Sequence, residues 1–242
     1  MNTFSAEAIV RMWEHGALLA PVARALSLLE HAGMRQAGES LPALNIGERD
    51  GRLLALRESM FGTTLSSVTE CPHCGAAIEF ALDTRELQQP GHEYALLCLT
   101  IAGISLQFRQ INSADLAAVA ASTDVQHARR KLAELCVIEA TQVGGKQVDV
   151  AQLPEEVMQA LANQLAKADG QADIALDLRC PGCAGSWPAN FEIAPFLWAE
   201  ITVRAKQLLG EVHALAWTYG WSEADILAMS DARRQFYLGM VQ

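Results

Sequence analysis

Leu65-Ser66-Ser67-Val68-Thr69-Glu70-Cys71-Pro72-His73-Cys74-Gly75-Ala76-Ala77-Ile78-Glu79-Phe80-Ala81-Leu82 is answered about 105 residues further on by Ile174-Ala175-Leu176-Asp177-Leu178-Arg179-Cys180-Pro181-Gly182-Cys183-Ala184-Gly185. Each stretch carries a strand-like alternation of apolar and other side chains into a Cys-X-X-Cys turn. Two cysteines separated by two residues in a tight turn reach one edge of a tetrahedral metal without strain, and two such turns complete its shell. Proline after the first cysteine stiffens both turns. Gly75 permits the positive backbone angle that aims amides at sulfur, where the second turn has Ala184-Gly185 instead.

Three other roles for these cysteines are weaker. A thioredoxin-like redox pair would need one such turn, not two; a disulfide framework belongs to an oxidising compartment; buried bystanders do not sit in loops rich in Pro and Gly. The spacing therefore predicts one structural zinc per chain on Cys71, Cys74, Cys180 and Cys183. Four thiolates leave no open coordination position, so the metal is expected to hold the fold rather than to catalyse. His73, inside the first knuckle, reads as an exposed loop residue.

Working outward, the ribbon is expected to be discontinuous, residues 65–83 and 173–192, with an α+β domain inserted at 84–172. Within the insertion, Leu97, Leu99 and Ile101 alternate, turn at Gly103 and alternate again through Ile104, Leu106 and Phe108, which predicts a hairpin. Helices are expected from Ser113 as cap, from Asp124 with Leu132, Leu135 and Cys136 on one side, and from Pro154 with Val157, Leu161 and Leu165. Residues 1–64 read as a helical section, begun by Ser5 and Pro21 and stopped at Gly33 and Gly62. Residues 193–242 read as a second, with a broad apolar face through Ile201, Leu208, Val212 and Leu215, a stop at Gly220, and caps at Ser222 and Ser230. The expected fold class is mainly helical α+β: helical N- and C-terminal sections around a four-cysteine zinc ribbon that carries the insertion.

The chain has 242 residues, 18 basic against 28 acidic side chains, and a net charge of −10. Polyphosphate repels such a chain unless its bases gather on one face, and here they are scattered among acids, so no nucleic acid is expected as a partner. Apolar runs are interrupted, as by Pro21 and Arg24, so no membrane span is expected, and Glu7 before Arg11 leaves no basic leader. A cytoplasmic location follows, or association with a particle.

Catalytic signatures are missing. The sequence contains no nucleophile elbow, Walker loop, dinucleotide fingerprint or His-Glu-X-X-His helix, and Arg179 stands where a zinc deaminase needs proline. No catalytic residue is assigned and no enzyme is expected. Cys98 and Cys136 read as core thiols. His15, His31, His92, His127 and His213 form no ligand pair by spacing. Trp217, Tyr219, Trp221, Phe236 and Tyr237 are expected to pack on the N-terminal helices, with an exposed partner anchor as the sharper alternative and, third, a DNA-reading helix-turn-helix, weakened by only Arg233 and Arg234 against Glu223, Asp225 and Asp231.

Three sections of the chain resemble a known family. They are the run Gly47-Glu48-Arg49-Asp50-Gly51-Arg52-Leu53-Leu54-Ala55-Leu56-Arg57 with Phe61-Gly62 and the first knuckle, Phe108-Arg109 ahead of Asp115-Leu116, and the ending from His213 through Tyr219-Gly220-Trp221-Ser222-Glu223-Ala224-Asp225-Ile226-Leu227 to Arg233-Arg234-Gln235-Phe236-Tyr237-Leu238. Together they resemble baseplate or tail assembly proteins of phage-like contractile injection systems, similar to the baseplate hub assembly chaperones of T-even-like phages. The resemblance implies a non-enzymatic assembly factor or minor baseplate component whose partners are baseplate, hub or spike proteins. The alternative is a zinc-ribbon regulator that binds nucleic acid.

Overall fold

In the computed structural model, which describes residues 4–88, 96–142 and 144–241, elements begin and end where the local chemistry supplies a cap or a turn. Ser5 accepts a hydrogen bond from the Ala8 amide and starts α1 (Ala6–Ala17), and Pro21 sits in the first turn of α2 (Pro21–His31). Then come α3 (Ile46–Phe61), the hairpin β1 (Thr64–Glu70) and β2 (Ala77–Asp83), and the single turn α4 (Thr84–Leu87). The middle holds β3 (Leu97–Ile101), β4 (Ile104–Phe108), α5 (Ser113–Val119), α6 (Val125–Cys136), β5 (Val137–Gln142) and α7 (Glu155–Ala168). A last hairpin, β6 (Ile174–Arg179) and β7 (Ser186–Phe191), precedes α8 (Ile193–Tyr219), α9 (Glu223–Leu227) and α10 (Asp231–Leu238). The protein is mainly helical α+β, as its periodicities predict. Among the described residues, no helix is long and apolar enough to cross a membrane. His92 lies outside the described residues.

The chain forms two compact units. The first comprises residues 1–34, 55–62 and 193–242. Its core joins Ile9 and Val10 of α1 to Leu208, Val212 and Leu215 of α8 and Ile226 of α9. α1 and α8 approach closely because Gly16 has no side chain: a Cβ there would lie 2.5 Å from the Trp198 ring. Arg24 lies over that ring, 4.5 Å from its centroid, and donates to the Gly16 and Leu19 carbonyls at 2.9 and 2.8 Å, satisfying acceptors at the end of α1. The expectation for the C-terminal aromatics divides here. Tyr219, Trp221 and Tyr237 pack against the core, whereas Trp217 and Phe236 stay 86% and 63% exposed.

The second unit comprises residues 35–54 and 63–192. It holds the antiparallel sheet β3-β4-β5, packed through Leu106, Phe108 and Ala140 on Val157, Met158 and Leu161 of α7. Ala102 and Gly103, both at positive φ (50° and 72°), make the tight turn between β3 and β4. Three details depart from expectation. Asn112, not Ser113, caps α5: its side chain accepts from the Asp115 amide while Asp115 accepts from the Asn112 amide. Ser113 is instead buried, with its hydroxyl 3.4 Å from Arg49 Nη1. Cys98 is exposed, because the period of two that turns Leu97, Leu99 and Ile101 inward turns Cys98 out. Cys136 is a core thiol, donating to the Leu132 carbonyl at 2.9 Å and pushed up to about 11 by burial.

α3 begins at a tight contact. The Gly47 amide donates to Asp169 Oδ2 at 2.9 Å, and the Glu48 amide to Asn45 Oδ1 at 2.7 Å, so two otherwise unpaired first-turn donors are satisfied. A Cβ on Gly47 would fall 1.8 Å from Asp169 Oδ1. Gly47→Ala is therefore expected to displace that carboxylate and destabilise the second unit by about 1–3 kcal/mol, read as a lower denaturation midpoint. Asn45→Ala, which removes a cap without a clash, should cost about 1 kcal/mol.

Candidate metal centre

Each knuckle is a short turn between the strands of its own hairpin. β1 and β2 pair from Thr64 with Asp83 to Glu70 with Ala77, and β6 and β7 from Ile174 with Phe191 to Arg179 with Ser186. The same backbone bonds close both tips: Cys71 N to Ala76 O at 2.9 Å and Gly75 N to Cys71 O at 2.8 Å, then Cys180 N to Gly185 O at 2.9 Å and Ala184 N to Cys180 O at 2.9 Å. In each, the first cysteine is buried and the second exposed.

The hairpins bring the four sulfurs to one point. Cys71, Cys74, Cys180 and Cys183 place every Sγ within 4.8 Å of the others, and the Cys71–Cys183 and Cys74–Cys180 pairs are 3.7 Å apart. A disulfide requires about 2.05 Å. A tetrahedral zinc with Zn–S bonds of about 2.3 Å requires sulfurs about 3.8 Å apart along each edge, so the two close pairs stand at the spacing of a metal shell. Among the described residues, this is the only cluster of three or more side chains of ligand type. The apolar support is small: Ile78 is buried beside Cys71 and Cys180, with Trp187 packed against them.

The amides aim at sulfur as the turn chemistry predicts. His73 N lies 3.4 Å from Cys71 Sγ and Cys183 N lies 3.5 Å from Cys180 Sγ. Cys180 is held down to about 7 by the Cys183 amide and, against burial, by that of Gly182. At Cys74 the Ala76 amide pulls downward, but the three neighbouring sulfurs outweigh it and push the thiol up to about 12. Four thiolates at this spacing would repel one another, and a divalent cation would remove the conflict.

Two features of the site escaped the sequence. Ala184 takes a φ of 59°, matching Gly75 at 72°, so the second knuckle holds an L-residue in the left-handed region. Ala184→Gly is expected to stabilise the protein by about 0.5 kcal/mol, since relieving strain of about 1 kcal/mol outweighs the added freedom of the unfolded chain. Gly75→Ala should destabilise by about 1 kcal/mol, and chemical denaturation reads both signs. His73 is exposed as expected, yet its ring lies edge-on to Trp187, with centroids 6.3 Å apart, and covers Gly185, where a Cβ would meet it at 2.5 Å. In the first unit, His15 and His31 meet with ring centroids 4.7 Å apart, a contact their spacing in sequence does not announce.

A family model described as T4 bacteriophage base plate protein matches residues 29–192, about two thirds of the chain and a stretch containing both knuckles. The chain belongs to the T4 bacteriophage base plate protein family. No curated protein and no solved structure matches it. Membership in the base plate family gives the chain a structural or assembly role at a phage-type baseplate, among other baseplate proteins. Within the matched stretch, the ion pair of Arg109 with Asp115, at 2.6 and 2.9 Å, ties the end of β4 to the first turn of α5. Phe108-Arg109 and Asp115-Leu116 thus frame one local structure in this base plate protein.

Proposed function

We propose that the chain is a non-enzymatic assembly protein of a contractile, phage-tail-like injection system. It acts in the manner of a hub assembly chaperone or as a minor baseplate component, and its partners are hub or spike proteins. One structural zinc on Cys71, Cys74, Cys180 and Cys183 closes the ribbon of residues 65–83 and 173–192, from which residues 84–172 extend as an insertion. The protein works in the cytoplasm and is carried on the particle if it stays after assembly. The observation that carries this reading is the base plate family match across a stretch that contains four sulfurs within 4.8 Å of one another. A net charge of −10, made more negative by four thiolates around one divalent cation, favours a protein partner over nucleic acid.

The metal and the partner are tested separately. Elemental analysis should return about one zinc per chain. At neutral pH a thiol reagent should label Cys98 alone in the loaded protein, since Cys136 is buried, and a chelator should add the four knuckle cysteines. Rapid labelling of Cys74 and Cys183 before chelation would overturn the closed site. For the partner, the tagged chain expressed with its complete baseplate gene set should retain hub or spike proteins; recovery of none of them would overturn the assembly role.

A further inference from the structure

The second unit carries a groove that its own core leaves open. Along α7, Met158, Leu161, Ala162, Leu165 and Ala166 recur at helical spacing and line a cavity of about 400 Å³. Such spacing sets all five on one stripe, about 12 Å long from Met158 to Ala166. Leu132 and Ala133 of α6, with Leu116 of α5, form the facing wall. Met158, Leu161 and Ala133 are buried and belong to the core beneath. Above them Ile46, Ile111, Leu116, Leu132 and Leu165 remain only half-buried around the cavity.

The two ends differ in charge. Arg129 lines one end, where it reaches Glu155 and Gln159 at the start of α7 at 3.3 and 3.2 Å. Asp169 and Asp173 line the other, beyond the last turn of α7. From Gln159 to Asp169 the helix axis advances about 15 Å. An apolar trough of this length, with Arg129 and its partner Glu155 balanced at one end and at the other the carboxylates of Asp173 and of Asp169, which also accepts from the Gly47 amide, complements a helix dipole: the amides and any basic side chains of a first turn face the acidic end, and the carbonyls of a last turn face the arginine.

We infer that this groove receives an amphipathic helix of another baseplate protein, about three turns long, running antiparallel to α7 with aliphatic residues at i, i+3 or i+4, and i+7. The inference rests on the baseplate role proposed above and names the surface that performs it. A small ligand would call for polar groups converging on its middle, whereas the length of this groove is apolar, with Arg129 at one end and Gln110, Asp169 and Asp173 at the other. A second copy of the chain would bring together two bodies each of charge −10.

The test places a photo-crosslinking benzoylphenylalanine at Ala166, exposed at the rim, in the full chain expressed with its complete baseplate gene set. The crosslink should map to one amphipathic helix of a baseplate protein. Leu165→Glu should lower recovery of that protein at least tenfold with unchanged circular dichroism and metal content. Should Leu165→Glu fold poorly, Ala166→Trp on the exposed rim gives the same reading, and Arg129→Glu should weaken capture in either case. A crosslink to a second copy, or a small molecule retained in native mass spectrometry, overturns the inference. So does unchanged recovery of baseplate proteins by folded groove variants, which leaves the assembly role standing. Failure of the unaltered chain to retain any baseplate protein removes both.

Discussion

Cys183→Ser is expected to cost the protein most of the zinc proposed above and to lower its melting temperature by about 10–20 °C. The size follows from how little else holds the knuckles. Two-stranded hairpins are marginal alone in water, and each knuckle here caps such a hairpin. The apolar cluster at their meeting point has only Ile78 and Trp187 beside Cys71 and Cys180. Structural zinc binds small cysteine-rich domains with apparent free energies of about 10–16 kcal/mol, and that energy is folding energy. Losing one ligand of four should forfeit about 5 kcal/mol, and each kcal/mol moves the midpoint of a protein this size by about 2–4 °C. Cys98→Ser is the control and should change neither metal content nor midpoint, because that thiol is exposed and outside the cluster. Full zinc retention by Cys183→Ser with an unchanged midpoint would overturn the site.

In the first unit, Glu200→Ala is expected to cost about 3–5 kcal/mol, with metal content unchanged. Arg57 donates through Nε and Nη2 to Glu200 at 2.9 and 2.7 Å, and through Nη1 to the Gly62 carbonyl at 2.8 Å. Its side chain is 3% exposed, whereas that of Glu200 is 24% exposed. Removing the carboxylate strands a buried guanidinium with one neutral acceptor, and a buried charge without its counterion is among the most damaging changes a core can suffer. Replacing both members by apolar residues, Arg57→Met with Glu200→Leu, should recover most of the loss, since desolvation of the pair offsets much of its attraction. A double variant no more stable than Glu200→Ala would show that the pair contributes through geometry rather than charge.

The parts of this fold that could be read in the sequence are those whose chemistry is local. The knuckles declare themselves because Cys-X-X-Cys turns have a fixed reach, and the strands beside them alternate over several residues. Ser5, Ser222 and Ser230 cap where they should, each accepting from an amide three residues on. β5 was hidden because α6 passes into it without a linker: Cys136 ends the helix and Val137 opens the strand, so the apolar run shows no break. Only the pairing of β5 with β4, a contact distant in sequence, makes it a strand. The left-handed Ala184 was hidden for a different reason, since alanine rarely takes that conformation and the closed ring of backbone bonds at the tip imposes it. The groove along α7 has the periodicity of an ordinary core helix, and what leaves part of it uncovered is the placement of α5 and α6.

The sulfur pairs that meet at 3.7 Å stand 112 and 106 positions apart along the chain, and this dictates an order of events at the ribosome. At about 5–20 residues per second, synthesis leaves the first knuckle waiting roughly 5–20 s with two thiols and no second half. A metal held by two sulfurs is easily lost, so lasting capture must await the emergence of Cys183. The proposed ion would then act as a checkpoint on synthesis: it would lock only after the intervening segment has been made, and a chain truncated inside that segment would never acquire it.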